Sequence, residues 1–309
     1  MQVLISVILP VFLVIGFGYV AVWRGFLSDA NIDGLMLFTQ NFLFPALLFK
    51  AIATLDIGAT FNAPLLVSFY TGSIASFVFG MLGARLVFRL ELEDAVCIGF
   101  ACLFANTLML GLPVTERAYG HDALGPNYAI VSIHSAFCYA LGITVMEFVR
   151  ARGESLSRLP AIVLRAMFRN ALVIGIGLGF LVNLLSIPVP GAVMEAAGLL
   201  TRAALPVALF GMGGVMVRYR PQGDMKVIAF VCFASLMLHP TIVALMGRMT
   251  GLSTGEYRSA VLTASMAPGI NIYVFASIYG RAQRVAASAV LVGTALSALT
   301  VWFWLHFLG

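Results

Sequence analysis

Residues 95–119 read AVCIGFACLFANTLMLGLPVTERAY, an apolar segment that is long enough to cross a membrane. Its second half contains Asn106, Gly111 and Pro113. Proline and glycine within a membrane helix release backbone groups, which neighbouring helices, water or a ligand must then bind. The segment therefore predicts a membrane span that is interrupted at a polar position.

A second apolar segment, residues 258–279, carries the related run Ala267-Pro268-Gly269-Ile270-Asn271. If both segments break, asparagine amides and the positive ends of half-helices would point into one cavity that favours an anion. The predicted substrate-binding residues of the two segments are Asn106, Asn271, Gly269 and Pro268, and the predicted helix-break residues are Gly111, Pro113, Pro268 and Gly269. The alternative is that these residues form ordinary kinks, with each asparagine capping a freed carbonyl group.

The composition places the rest of the chain in lipid as well. Of 309 residues, 61% are apolar and 10% are charged, and the mean hydropathy is +1.02. Soluble domains carry roughly 25% charged residues. The sequence contains no phosphate-binding loop, zinc motif or nucleophile elbow, and its four cysteines form no CxxC pair. We therefore expect no cofactor, no metal, no nucleic-acid partner and no enzymatic activity.

Apolar runs between charged or turn-rich breaks predict an all-α membrane protein with ten spans. The first run continues to Trp23 and is interpreted as a span rather than a signal peptide. A segment at 158–169 is predicted to be an interfacial amphipathic helix. The predicted spans are 3–23, 33–54, 63–88, 95–119, 127–148, 170–187, 193–217, 227–249, 258–279 and 285–307.

The distribution of lysine and arginine predicts the orientation. Thirteen of these residues lie in the connections that follow odd-numbered spans, against four on the opposite side. Because cytoplasmic loops are enriched in positive charge, both termini are expected on the extracytoplasmic side. The thirteen are Arg24, Arg85, Arg89, Arg150, Arg152, Arg158, Arg165, Arg169, Arg218, Arg220, Lys226, Arg281 and Arg284.

Two short matches indicate an internal repeat. The run FPALLF at 44–49 corresponds to LPVALF at 205–210, an offset of 161 residues, and Tyr119 corresponds to Tyr279 at an offset of 160. The predicted repeats are 1–152 and 153–309. Each holds five spans, an odd number, so the second repeat would run inverted through the membrane. Inverted repeats are typical of secondary transporters, which bind substrate near the membrane midplane.

These runs, at 44–49, 106–113 and 267–271, resemble the auxin efflux carrier family, which includes bacterial malonate and malate permeases. The resemblance implies two inverted five-helix repeats related to the bile-acid symporter architecture, with spans 4 and 9 broken and crossing. It further implies that Asn106 and Asn271 contact an organic carboxylate, and that spans 1, 2, 6 and 7 form a second block of helices. The short connection between spans 5 and 6 points to a bacterial member, and hence to the bacterial inner membrane.

Three further polar residues are candidates for function. Arg202 is the one basic residue deep in a predicted span, and Asn41 occupies the equivalent place in the first repeat. Arg202 would hold a second carboxylate if it faces the cavity, or would reach the lipid headgroups by snorkelling. His134 is a candidate for proton coupling, with a hydrogen-bonded helix contact as the alternative.

The sequence therefore predicts a secondary transporter of small organic anions, mono- or dicarboxylates such as malonate or malate. All thirteen carboxylates lie in loops or near span ends, which disfavours sodium coupling through an intramembrane carboxylate. The alternatives are a sodium-coupled symporter of the bile-acid type, a receptor that binds an anion without moving it, and a membrane enzyme using His134 and Cys138. The expected partners are the anion and the lipid bilayer, with a homodimer as one candidate assembly.

Overall fold

The computed structural model describes residues 4–151 and 171–309, and these residues are predominantly helical, with no β-strand among them. Helix starts follow local chemistry. Ser28, Asn62 and Ser253 each accept a backbone hydrogen bond as the N-cap, and Glu256 completes a capping box with Ser253. The first eight α-helices are α1 (Leu9–Trp23), α2 (Asp29–Phe38), α3 (Phe44–Ala53), α4 (Ile57–Thr60), α5 (Ala63–Leu86), α6 (Leu92–Leu103), α7 (Leu112–Tyr119) and α8 (Gly125–Ala151).

The described residues after the gap form α9 (Ala171–Leu184), α10 (Gly191–Met216), α11 (Met225–Phe233), α12 (His239–Met249), α13 (Thr254–Ala264), α14 (Asn271–Tyr279) and α15 (Gln283–Leu308). A short 3-10 helix spans His121–Leu124. Four π-helical turns complete the described elements: Leu4–Ile8, Thr39–Leu43, Thr107–Gly111 and Ala234–Leu238.

Each of these π-helical turns ends two residues before a proline. The prolines are Pro10, Pro45, Pro113 and Pro240. A proline lacks an N–H group, and its ring collides with the carbonyl four residues earlier in a regular α-helix. Widening the turn immediately before the proline relieves this collision, so the helix continues without a break.

Seven helical stretches among the described residues are long and apolar enough to cross a membrane. They correspond to predicted spans 1, 2, 3, 5, 7, 8 and 10. Spans 4 and 9 each divide into two shorter helices, and α9, at span 6, has 14 described residues. The total of ten spans stays a prediction, and the amphipathic helix predicted at 158–169 lies outside the described residues. The seven stretches are Ser6–Trp23, Asp29–Ala53, Ala63–Leu86, His121–Arg150, Gly191–Met216, Met225–Met249 and Gln283–Leu308.

The chain forms two compact units, and each takes helices from both halves of the sequence. In the described part of the chain, the smaller unit comprises 9–61 and 171–218, and the larger unit comprises 4–8, 62–151 and 219–309. The smaller unit thus holds the helices of predicted spans 1, 2, 6 and 7, the block that the family resemblance implied. The predicted repeats, 1–152 and 153–309, divide the chain differently from these units and stay a prediction.

Glycines allow the helices of the smaller unit to pack closely. A Cβ atom added at Gly18 in α1 would lie 1.9 Å from the carbonyl oxygen of Phe210 in α10, and one added at Gly179 in α9 would lie 3.0 Å from that of Phe49 in α3. By contrast, Gly16 and Gly177 have open space at the Cβ position. Close packing is therefore found at Gly18 and Gly179, and also at Gly175, where a Cβ atom would lie 2.6 Å from the Pro45 carbonyl oxygen, but not at Gly16 or Gly177.

In the larger unit, α6 packs on α5 through a similar close approach. A Cβ atom at Gly99 would lie 2.7 Å from the carbonyl oxygen of Phe77, and one at Gly80 would lie 2.6 Å from the Cys102 sulfur. The side chains of α6 from Ala95 to Leu103 are all buried. The first half of predicted span 4 is therefore held inside the unit, which fixes where its interruption falls.

Candidate functional site

The two interrupted segments meet in the larger unit, and each satisfies backbone groups of the other. The backbone nitrogen of Asn106 donates to the Ala267 carbonyl oxygen at 2.8 Å, and that of Gly269 donates to the Phe104 carbonyl oxygen at 3.0 Å. These bonds form an isolated antiparallel bridge between Ala105 and Pro268. Backbone groups that leave a helix at membrane depth need such partners, because hydrocarbon offers none.

Small and ring-constrained residues make the close approach feasible. A Cβ atom at Gly269 would lie 3.4 Å from the Phe104 ring and 3.6 Å from the Asn106 Cα atom, so the two backbones are nearly in contact. Behind them, a Cβ atom at Gly293 in α15 would lie 2.8 Å from Cδ of Pro268. The bare backbone of Gly293 therefore provides the space that the Pro268 ring occupies.

Asn106 lies at the start of the second half of the first segment. Its side-chain oxygen Oδ1 accepts a hydrogen bond from the Met109 nitrogen at 3.2 Å and so caps the π-helical turn Thr107–Gly111. The residue is 6% exposed. This bond caps a backbone N–H group, whereas the alternative given for Asn106 was the capping of a freed carbonyl group, which stays a prediction.

Asn271 is the first residue of α14, the second half of the other segment. The residue is half-buried, and its Oδ1 atom accepts a hydrogen bond from the hydroxyl of Tyr139 at 3.2 Å. Tyr139 lies on α8 and was not singled out in the sequence. A lone tyrosine in an apolar helix gives no signal of its partner, which becomes visible only when the helices are packed.

Gly111 and Pro113 lie away from the interruption that they were expected to cause. The first segment leaves helical geometry at Phe104, Ala105 and Asn106, before the π-helical turn. Gly111 closes that turn and Pro113 occupies the first turn of α7. The widened turn absorbs the proline without a break, whereas Pro268 and Gly269 lie within the interruption of their own segment.

Buried polar side chains hold the interruption of the first segment in place. The His134 side chain is hydrogen-bonded to the backbone of Ala105, and its ring packs edge-on to Phe104 at 4.9 Å between ring centres. The Ser235 hydroxyl donates to the Ala101 carbonyl oxygen at 3.2 Å, near the end of α6. His134 is thus found in a hydrogen-bonded helix contact, with the Cys138 sulfur 3.6 Å from its Nδ1 atom.

A buried amide on α8 joins α7 of the first segment to α13 of the second segment. The Asn127 Nδ2 atom donates to the hydroxyl oxygens of Thr115 at 3.2 Å and of Thr263 at 2.6 Å. All three residues are fully buried. This group is not evident from the sequence because isolated Asn and Thr residues near predicted span ends are equally compatible with a hydrated position.

Arg202 and Asn41 belong to the smaller unit. Arg202 lies on α10 and Asn41 in the π-helical turn that precedes α3, and both residues are exposed. Neither side chain forms a hydrogen bond or ion pair with a residue of the described ranges 4–151 and 171–309. Arg202 therefore has a guanidinium group that no described carboxylate neutralises.

A charged cluster joins the ends of α6, α8 and the segment after α14. Arg281 lies 2.6 Å from Glu91 and 3.1 Å from Glu93, and Arg150 lies 3.0 Å from Glu93. Desolvation raises the pKa of the Glu93 carboxyl, but the hydrogen bonds from Arg150 and Arg281 outweigh it and lower this pKa below its ordinary value. The cluster fixes these three helix ends relative to one another.

Comparison with known proteins relates almost the whole chain to one family. The sequence profile of a family described as "Membrane transport protein" matches residues 3–305. A protein of Rhizobium meliloti (strain 1021) named "Putative malonate transporter" is 26% identical over 306 residues, which cover 96% of this chain and 93% of that protein.

Proposed function

Because the chain belongs to this membrane transport family, the auxin efflux carriers, we propose that it is a secondary transporter of small organic anions. Its multiple apolar helices make it a multi-pass membrane protein. Transport would proceed by alternating access, with the two compact units as the blocks that move. The proposed location is the bacterial inner membrane, with both termini extracytoplasmic, supported by the excess of lysine and arginine in the connections after odd-numbered spans.

The observation that carries the proposal is the pairing of two interrupted segments beside two asparagines. Asn106 and Asn271 lie at the start of the second half of their segments, and each Oδ1 atom accepts a hydrogen bond from the protein. We propose that Asn106 and Asn271, together with Pro268 and Gly269, form the site that binds a carboxylate. Amide N–H groups suit this ligand because a carboxylate is an acceptor and needs only donors.

Several observations support the finer architecture of ten spans in two inverted repeats with spans 4 and 9 crossing. The bridge between Ala105 and Pro268 joins the interruptions of these two segments. In the smaller unit, Gly18 approaches the Phe210 carbonyl, and Gly179 approaches the Phe49 carbonyl. Gly18 and Gly179 are 161 residues apart, as are Phe49 and Phe210. Such a reciprocal contact is what a two-fold relation between repeats 1–152 and 153–309 would produce.

We propose malonate or a similar mono- or dicarboxylate as the substrate. The full-length similarity to the protein named for malonate supports this class. We also propose that Arg202, which no described carboxylate neutralises, binds a carboxylate of a dicarboxylate, and that Asn41 is a further substrate-binding residue. Sodium coupling is not part of the proposal, since all thirteen carboxylates lie in loops or near the ends of the predicted spans.

The test is uptake of radiolabelled malonate into proteoliposomes that contain the purified protein and no sodium, under an imposed membrane potential. Uptake that responds to the potential would support an anion carrier. Uptake that appears only after sodium is added would favour a symporter of the bile-acid type instead. Malonate binding without uptake would favour a receptor.

A further inference from the structure

We propose that Lys50 and Arg202 together bind a dicarboxylate anion on the smaller unit, and that this pair of cations favours dianions over monoanions. This inference rests on the proposed function, and it adds a second cation to Arg202. Lys50 lies in the last turn of α3, and Arg202 lies on α10. Both residues belong to the smaller unit.

The ammonium group of Lys50 lies directly on the backbone of α10. A Cβ atom added at Gly198 would lie 2.8 Å from Nζ and 3.9 Å from Cε of Lys50. Gly198 is buried, and Lys50 is half-buried. The missing side chain of Gly198 therefore provides the space in which the ammonium group lies.

Arg202 brings a second cation to the same part of α10. It follows Gly198 by four residues, about one helical turn, so the two residues lie on the same face of the helix. Long side chains on an α-helix lean toward its N-terminus, and Gly198 lies on that side of Arg202. The guanidinium group of Arg202 thus extends from the turn next to the Lys50 ammonium group.

The Lys50 ammonium group does not cap the end of its own helix. A basic residue in the last turn of a helix often binds the terminal carbonyl groups. Here the Asn183 Nδ2 group donates to three carbonyl oxygens at the end of α3, the shortest bond being 2.7 Å to Leu55. The Thr54 hydroxyl donates to the carbonyl oxygen of Lys50 itself at 3.0 Å. Neutral groups therefore cap α3, and the ammonium group is left for a ligand.

Neither cation has a carboxylate partner among the residues that the structure describes. Two carboxylates of the smaller unit pair with Arg218, beyond the far end of α10, and a third caps the start of α4. The fourth, Glu195, is exposed one turn before Gly198, and it forms no ion pair with Lys50 or Arg202. The first three are Asp29, Asp33 and Asp56.

The charge of the pair determines the class of ligand. Two cations one helical turn apart repel each other, and a bound anion offsets this repulsion. Ammonium and guanidinium groups only donate hydrogen bonds, and carboxylate oxygens only accept them. A dianion is favoured over a monoanion because its attraction to each cation is about twice as large.

The experiment measures how fast Lys50 is acetylated. The chain contains two lysines, Lys50 and Lys226, and Lys226 is exposed at the start of α11 in the larger unit, so it serves as the internal control. The protein is placed in phosphatidylcholine nanodiscs, which leave both faces accessible, and is treated with sulfosuccinimidyl acetate. Peptide mass spectrometry follows each lysine separately.

We expect malonate to protect Lys50 but not Lys226. At a malonate concentration about four times the dissociation constant, acetylation of Lys50 should slow about fivefold, because the bound fraction is protected. Acetate at the same concentration should slow it less than about twofold, since a monoanion binds the pair more weakly. Equal protection by acetate and malonate would overturn the inference. So would an unchanged rate for Lys50 in protein that transports malonate, whereas absence of malonate transport by the wild type would contradict the proposed function.

Nanodiscs that also contain phosphatidylglycerol distinguish a dissolved anion from a lipid headgroup. Protection of Lys50 by malonate in both lipid mixtures would support the inference. If phosphatidylglycerol protects Lys50 and malonate does not, the pair binds a headgroup phosphate and the inference is overturned.

Gly198→Ala displaces the ammonium group while both charges remain. The new methyl group would meet the flexible end of the Lys50 side chain rather than backbone, so the fold can accommodate it. We expect the malonate concentration that halves the acetylation rate of Lys50 to rise about fivefold. Gly191→Ala, at the start of the same helix with open space at the Cβ position, is the matched control and should keep the wild-type value. A wild-type value for Gly198→Ala would overturn the inference.

Discussion

The backbone nitrogen of Asn106 donates a 2.8 Å hydrogen bond to the carbonyl oxygen of Ala267, 161 residues away in sequence. Together with the bond from Gly269 to Phe104, it joins the two interruptions within one compact unit. Breaking such bonds in a medium without water is costly. The polar groups at the two interruptions are therefore expected to keep their arrangement during transport.

Gly293→Ala should disturb the interruption of the second segment, because Gly293 lies directly against Pro268. The added Cβ atom would lie 2.8 Å from Cδ of Pro268, and neither the helix α15 nor the proline ring can rotate away. Overpacking of this kind costs about 1–3 kcal/mol. We expect the initial rate of malonate uptake to fall about tenfold. Gly177→Ala, at a position with open space, is the control, and equal rates in the two variants would contradict the account.

Gly18→Ala should destabilise the smaller unit far more than Gly16→Ala. The new methyl group at Gly18 would lie 1.9 Å from the Phe210 carbonyl oxygen, whereas Gly16 has nothing within 4 Å. Because the obstacle is backbone rather than a mobile side chain, we expect a loss of at least about 2 kcal/mol. Thermal unfolding of the purified protein in detergent measures this difference.

The same comparison in the second half of the chain tests the internal repeat. Gly179→Ala would bring a methyl group 3.0 Å from the Phe49 carbonyl oxygen, and Gly177→Ala would meet open space. We expect Gly179→Ala to lower Tm, though less than Gly18→Ala, and Gly177→Ala to leave it unchanged. A lower Tm for Gly177→Ala than for Gly179→Ala would argue against equivalent roles for the two glycine pairs.

Glu93→Gln should reduce stability in a pH-dependent manner. The pKa of Glu93 is lowered from 4.5 by its hydrogen bonds to Arg150 and Arg281, so its ionised form stabilises the folded state above the ordinary pKa. This contribution is lost as pH falls through the lowered value. We expect Glu93→Gln to have a lower Tm than the wild type at pH 7, and the two proteins to have equal Tm at a pH below the lowered pKa of Glu93. A difference in Tm that stays constant between these two pH values would contradict this explanation.

Arg202→Gln tests the proposed second contact of a dicarboxylate. If the guanidinium binds the second carboxylate, affinity for malonate should fall about tenfold while affinity for a monocarboxylate changes little. Competition against labelled malonate, with malonate and acetate as competitors, measures both. Unchanged affinity for malonate would mean that Arg202 reaches the headgroups instead.

Much of the fold follows from the sequence because helices in lipid must satisfy their own backbone. Hydropathy alone locates seven spans to within a few residues, and the chain leaves helical geometry at Pro268 and Gly269. The position of the other interruption was wrong by several residues. Proline was taken as the breaking residue, but the π-helical turn before Pro113 accommodates it, and the chain opens at Phe104–Asn106 instead.

The candidate site was only partly predictable for a related reason. Asn106 and Asn271 stand out because amides are rare in apolar segments. Tyr139 and Ser235 do not stand out, because their roles depend on which backbone atoms approach them after packing. Sequence patterns report the chemistry of one segment at a time, whereas these contacts join residues more than 130 positions apart.

The most direct test of the central claim is malonate uptake into sodium-free proteoliposomes by Asn106→Asp. Aspartate keeps the oxygen that accepts from the Met109 nitrogen, but replaces the amide N–H groups with a negative charge. Asn31→Asp is the control, because the Asn31 oxygen likewise accepts hydrogen bonds at a helix start, from Ser28. The account predicts loss of uptake by Asn106→Asp in protein that still folds, and full uptake by Asn31→Asp. Wild-type uptake by Asn106→Asp would show that the anion does not bind at the paired interruptions.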